Sequence, residues 1–143
     1  MENREIKFRV WDIAENNWVH PKNVNLYTES KGNRLNFVVG GIATSGLIFQ
    51  EFTGLKDKNG KDIYEGDVCS WIEMEGIVKL EKKGFVRFDG GRFEVGNHNG
   101  YGGDWEDLGI LLHPYWNNKE AQNTFKIIGN VYDKRKILEV KNE

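Results

Sequence analysis

Several groups of side chains in this sequence have the residue types, and in part the spacing, that chemistry demands. Asp57-Lys-Asn-Gly60 resembles part of a calcium loop. Such a loop needs oxygen ligands at alternate positions, glycine at the sixth and glutamate at the twelfth. With Gly60 sixth, Leu55 falls first and Tyr64 tenth, so the required aspartate is missing. The stretch instead reads as a hairpin turn in which Asn59 and Gly60 supply the positive φ of a type I′ loop. Asp62, Glu65 and Asp67 crowd together, and crowded carboxylates can raise a pKa toward general-acid use. Lys56, Lys58 and Lys61 stand among them, which makes this a solvated, mixed-charge turn. His20, His98 and His113 could serve zinc with a carboxylate, but they sit in separate loops with neither H-E-x-x-H nor H-x-E spacing. His20-Pro21 and His113-Pro114 read as strand ends, because proline removes a ladder donor and restrains its predecessor. Cys69 would need a thiolate and a nearby base to act as a nucleophile. Its place between Val68 and Ser70 in an expected strand makes it a small buried hydrophobe. No catalytic residue, metal site or cofactor is expected, and the chain is read as a non-enzyme.

Binding chemistry has better candidates. Gly90, Gly91, Gly96, Gly100, Gly102 and Gly103, interspersed with Asn97, His98, Asn99 and Tyr101, make an adaptable loop. It lacks the Gly-Lys-Ser/Thr of a P-loop and the G-x-G-x-x-G of a dinucleotide fold. Lys79, Lys82, Lys83 and Arg87 interleave with Phe85 and Phe88, a pattern that can track a nucleic-acid backbone and stack bases. Glu81 and Asp89 oppose that use. Tyr64, Trp71, Tyr101, Trp105, Tyr115 and Trp116 lie beside turns and loops, where aromatics anchor protein interfaces.

The elements that must position these groups are strands. Ile6, Phe8 and Val10 alternate with Lys7 and Arg9, and after a turn over 12–17 Trp18-Val19 begins a return, giving an N-terminal hairpin. Val24–Thr28 and Leu35–Val39 form a second pair, and 42–50 is ambiguous between loop and strand. Strands over 68–73 and 76–81 are joined by a turn at Met74-Glu75, and strands over 84–89 and 92–95 by Gly90-Gly91. Short strands at such spacing indicate an antiparallel sheet or small barrel. Asp104-Trp-Glu-Asp107 could cap one helical turn through Asp104. A late strand holds Phe125 and Ile127 to Tyr132, with Gly129 marking a bulge or barrel corner. A Lys/Arg-rich tail begins at Lys134.

Bulk composition agrees. The 143 residues suit one domain with a full core. Aromatic content of 13% with 17 glycines and 2 prolines favours strands and turns over disorder. A net charge of −2 lacks the basic excess of a protein built on phosphate contacts. One cysteine excludes an intramolecular disulfide and fits a reducing cytosol. No secretory signal or membrane span is evident, so a cytoplasmic location is expected.

Thr53-Gly-Leu-Lys-Asp-Lys-Asn-Gly-Lys-Asp-Ile-Tyr-Glu-Gly-Asp-Val68 resembles the central signature of the YopX-like family of phage and prophage proteins. Arg4-Glu-Ile-Lys-Phe-Arg-Val-Trp-Asp12 is similar to that family's first strand, and Ile127-Ile-Gly-Asn-Val-Tyr132 to its closing strand. The resemblance implies an SH3-type barrel and a phage or prophage origin, with no assigned activity and no site residues to carry over.

The expectation is therefore an all-β, SH3-like small barrel with little helix. Residues 1–50 form an N-terminal β extension and 51–143 the barrel. Its function is expected to be binding, of a host or phage protein in a bacterial cytoplasm, through Tyr64, Trp71, Tyr101, Trp105 and Trp116. Nucleic-acid binding through Lys82, Lys83 and Arg87 is the alternative, and a small metal-dependent hydrolase a remote third. Self-association is allowed, and a membrane is not a partner.

Overall fold

The structure, a computed structural model, describes residues 5–19, 24–28, 35–39, 42–43, 46–97, 103–116 and 118–133. Strands β1 (Phe8–Asp12) and β2 (Asn17–Val19) form the N-terminal hairpin. Its turn is closed by Asp12 Oδ1, which accepts from Glu15 N at 3.1 Å, and by Asn16 at φ +53°, a conformation asparagine tolerates. β3 (Val24–Thr28), β4 (Leu35–Val39) and β5 (Ile42–Ala43) make a three-stranded sheet. β6 (Leu47–Lys56) pairs with β1 across five residues, from Phe8↔Glu51 to Asp12↔Leu47, and with β7 (Asp62–Tyr64) on its other side. The division expected at residue 50 thus falls inside β6, and the N-terminal hairpin belongs to the sheet β2-β1-β6-β7.

A third sheet, in the order β11-β10-β9-β8-β12, curls as a half-barrel. It comprises β8 (Asp67–Glu75), β9 (Val78–Asp89), β10 (Arg92–Asn97), β11 (Asp104–Asp107) and β12 (Lys126–Asn130). The expected strands over 76–81 and 84–89 are one twelve-residue strand, β9. Its turn to β8 is Gly76-Ile77, two residues beyond the expected place. Gly76 has φ +63°, and a II′ loop reserves that position for glycine. Gly90 and Gly91 turn β9 into β10 as expected. The bulge expected at Gly129 is present as a register shift between Ile127 and Gly129.

Two short helices complete the fold. α1 (Leu108–Leu111) is capped by Asp107, whose Oδ1 accepts from Ile110 N at 3.0 Å. Asp104, the expected cap, lies in β11 instead, because residues 104–107 pair with β10. α2 (Lys119–Thr124), which the sequence did not signal, packs against β8. The core lies between this sheet and the helices and contains Ile63, Trp71, Val86, Val95, Leu108 and Phe125.

Two polar devices tie the sheets together. The turn at Asn59-Gly60 is not type I′, since Gly60 alone has positive φ, at +79°. Asp57 closes it: Oδ1 accepts from Asn59 N and Lys61 N, both at 2.9 Å, while Oδ2 accepts from Ile127 N at 3.1 Å. Aspartate turns of this kind replace a backbone turn by side-chain acceptance.

The second device is a buried cluster. Arg9 Nε and Asn130 Nδ2 both donate to Gln50 Oε1, at 2.9 and 3.0 Å. Arg9 Nη2 donates to Asp67 Oδ1, and Tyr64 N to Asp67 Oδ2 at 2.8 Å. The Arg9 guanidinium lies 4.2 Å from the Trp18 ring centroid and 4.5 Å from that of Tyr64. Burial pushes the Asp67 pKa up, against the pull of Arg9 and the Tyr64 N–H. The three segments that carry the family resemblance each contribute to this cluster: Arg9, then Tyr64 with Asp67, then Asn130.

Candidate functional site

The long β8–β9 hairpin projects an apolar end. Met74, Ile77 and Val78 are all exposed there, Ile77 to 95%. Beside it α2 packs on β8, and Lys79 Nζ stands 3.7 Å from Glu120 Oε1. Between hairpin and helix lies a cleft of about 410 Å³ lined by Glu73, Met74, Glu106, Asn118, Lys119 and Glu120. The loop entering α2 leads to Asn118, one of the lining residues. Gln122 Nε2 donates to His113 O at 2.6 Å and Trp116 O at 3.3 Å, which fixes the loop to the helix. Fixed in this way, the loop presents Tyr115, 91% exposed, and Trp116, 54% exposed.

The floor of the cleft holds a carboxylate pair. Glu73 Oε1 accepts from Trp71 Nε1 at 3.2 Å, and Glu73 Oε2 lies 3.6 Å from Lys82 Nζ. Lys82 also stands 3.9 Å from Asp104 Oδ2. The Glu106 pKa is pushed up to about 7, first by burial and then by its hydrogen bond to Glu73 and the Glu73 charge, with Lys82 opposing. The pair can hold or release a proton near neutrality. Because its folded-state pKa exceeds the ordinary 4.5, the Glu106 contribution to stability is complete below about 4.5 and is lost as pH rises through about 7. We expect the protein to lose about 1 kcal/mol between about pH 5 and 8, after allowance for solvent screening. Glu106→Gln should flatten that slope in urea titrations across pH, and equal slopes in the two proteins would refute the assignment.

The site residues expected from sequence are dispersed. Trp71 is not a surface anchor: it is 2% exposed and stacked on Phe125 at 5.4 Å. Alternation along β9 puts Lys82 on the core-facing side, opposite Trp71 in register, and Lys83, Phe85 and Arg87 on the other. Arg87 lies 3.6 Å over the Trp105 ring and 3.3 Å from Asp89, and Trp105 meets Phe85 edge-on. The basic-aromatic stripe is therefore split between two faces, and Lys79, Lys82 and Arg87 already face carboxylates. Tyr64 is half-buried, packed on Phe52 and Arg9. Tyr115 and Trp116 stand in the exposed loop, while Tyr101, His20 and His98 lie outside the described residues.

Sequence reasoning missed Glu73, Glu106 and Glu120. The i, i+2 spacing of Trp71 and Glu73 puts them on one strand face, which was the one available signal. Among the described residues, no group of three or more His, Cys, Asp or Glu could hold a metal ion, and no helix is long and apolar enough to cross a membrane. Cys69 is fully buried, and burial followed by the charges of Asp67 and Asp57 pushes its thiol pKa up.

Fold and site together define an all-β protein of the small-barrel class, with an exposed apolar arm and aromatic loop. The model of one protein family, described as YopX protein, matches residues 7–139, and the chain belongs to that family. A solved structure similar to it is the crystal structure of protein EF1440 from Enterococcus faecalis, with a TM-score of 0.54 and 21% identity. That match covers 95% of this chain and 99% of the other, and it establishes likeness of fold alone. No curated protein matches.

Proposed function

We propose that this chain is a non-catalytic binding module, of phage or prophage origin and working in the bacterial cytoplasm, whose partner is a protein. The observation that carries this is the exposure of Met74, Ile77 and Val78 at the hairpin end and of Tyr115 and Trp116 in the loop that leads into α2, with Met74 also lining the cleft between hairpin and helix. Large apolar side chains grouped on a fixed surface mark interaction sites, and aromatics ringed by polar groups make the strongest anchors. The glutamates below them favour a partner that brings a cationic side chain among apolar ones.

Two paired variants test this, Ile77→Asp with Val78→Asp and Tyr115→Ala with Trp116→Ala. All four positions are exposed, so folding should be unaffected. Tagged protein captured from induced host cells, with and without nuclease, should bring down one nuclease-resistant partner. Each paired variant should weaken that partner's binding roughly thirtyfold, the loss of a hot spot of about 2 kcal/mol. Full affinity in both variants, or recovery only through nucleic acid, would overturn the proposal.

A further inference from the structure

A second cleft, of about 180 Å³, lies away from the arm, between β6, β9 and the 131–132 turn. Its walls include Ile48, Gln50, Gly66, Arg87, Phe88 and Tyr132. Two buried donors belong to these walls. Gln50 is 1% exposed, and its amide orientation is fixed because Oε1 accepts from both Arg9 and Asn130. An NH2 group cannot accept either bond. That leaves Gln50 Nε2 with no acceptor among the described residues. Gly66 preserves the seat of this amide: it has φ +86°, and a Cβ there would stand 2.0 Å from Gln50 Nε2. The second donor is Arg87 Nε, also without an acceptor among the described residues. Arg87 is held by Trp105 and, through Nη2, by Asp89 at 3.3 Å and Glu94 at 3.4 Å.

Each unmet buried donor costs about 1–3 kcal/mol. Both residues line the cleft, so an acceptor entering it is a partner open to their donors. The charge of that acceptor is constrained. Asp89 and Glu94 already answer the Arg87 charge, and Glu65 lines the cleft, so an anion would find that charge taken and meet a carboxylate. A neutral carbonyl would not. The volume exceeds the roughly 150 Å³ cavity that accepts benzene, and the exposed Phe88 and the partly exposed Tyr132 offer an aromatic mouth.

We propose that this cleft binds a neutral carbonyl carried on a small apolar or aromatic body, with Gln50 Nε2 and Arg87 Nε as its two donors. The group is either a free aromatic amide or an apolar peptide residue with its main-chain carbonyl. The site is independent of the arm and the aromatic loop, so its failure and theirs are separable.

The test is a titration of ¹⁵N-labelled full-length protein, read at the Gln50 side-chain amide and Arg87 Nε–H resonances. The probes are benzamide, its charged isostere benzoate, and acetyl-Gly-Phe-Gly-amide. Benzamide should move both resonances and benzoate should not. A peptide that binds more tightly than benzamide identifies the source as a peptide, and an excluded peptide identifies a free amide. Arg87→Lys keeps the charge but removes the Nε donor, and should weaken benzamide about tenfold, the value of one hydrogen bond. Phe88→Ala, at an exposed position, should weaken it without threatening the fold. Benzoate binding as well as benzamide would overturn the proposal. So would resonances that exchange with water and ignore every probe, which would make ordered water the acceptor.

Discussion

Asp67→Ala is expected to destabilise the protein by about 3–5 kcal/mol, the usual cost of breaking a buried ion pair from one side. Asp67 is 1% exposed and answers both Arg9 and the Tyr64 N–H. Its removal leaves a guanidinium between Trp18 and Tyr64 with its carboxylate gone, and an orphaned backbone donor. The urea midpoint should fall by roughly 2 M, given ordinary m-values. The burial that raises the Asp67 pKa shows that its charge is itself costly, so the damage comes from stranding Arg9. Arg9→Met combined with Asp67→Ala should therefore recover part of the loss, because no unpaired charge remains inside. A single-variant loss below about 1 kcal/mol, or strict additivity in the double variant, would show that the cluster does not join the sheets as described.

Trp71→Ala should cost a similar amount, about 3–5 kcal/mol, and lower Tm by roughly 10–17 °C. The side chain fills the space beside Phe125 and holds Glu73 through Nε1. Trp71→Phe should lose about half as much, since it keeps an aromatic ring on Phe125 but drops the indole donor. Both variants should retain partner binding at temperatures where they remain folded. A Trp71→Ala protein as stable as its parent but unable to hold the partner would return Trp71 to the surface and contradict its burial.

What the sequence disclosed follows from the range of each interaction. Gly90-Gly91, the Gly129 bulge and the 12–17 turn are local, set by backbone freedoms written at single positions, and they appear where they were expected. The Met74-Glu75 turn was misplaced because glutamate and methionine give no turn signal as strong as Gly76, two residues on. Asp57 was judged by ligand spacing, whereas its role depends on Ile127, seventy residues away. Arg9, Gln50, Asp67 and Asn130 meet only after two sheets have formed, and Glu73 and Glu106 only after strands β8 to β11 of one sheet have assembled. The helix at 119–124 is too short for periodicity to declare; packing against β8 supports it. The aromatic list mixed core and surface because strand alternation along 67–75 buries Cys69 and Trp71 at successive odd positions, and a turn-flanking aromatic looks the same from either side.

The Arg9–Gln50–Asp67–Asn130 cluster has one more consequence. It behaves as a keystone: it locks the first, middle and last parts of the chain while touching nothing in the distal arm, the α1–α2 loop or the cleft between them. The exposed surface between 72 and 124 is thus free to vary, over a core that is kept, as a cassette held at its two ends by β8 and β12. Two chains that share the keystone would share a scaffold and could still grip different partners. The stretch by which such a chain is recognised is the part that says least about what it holds.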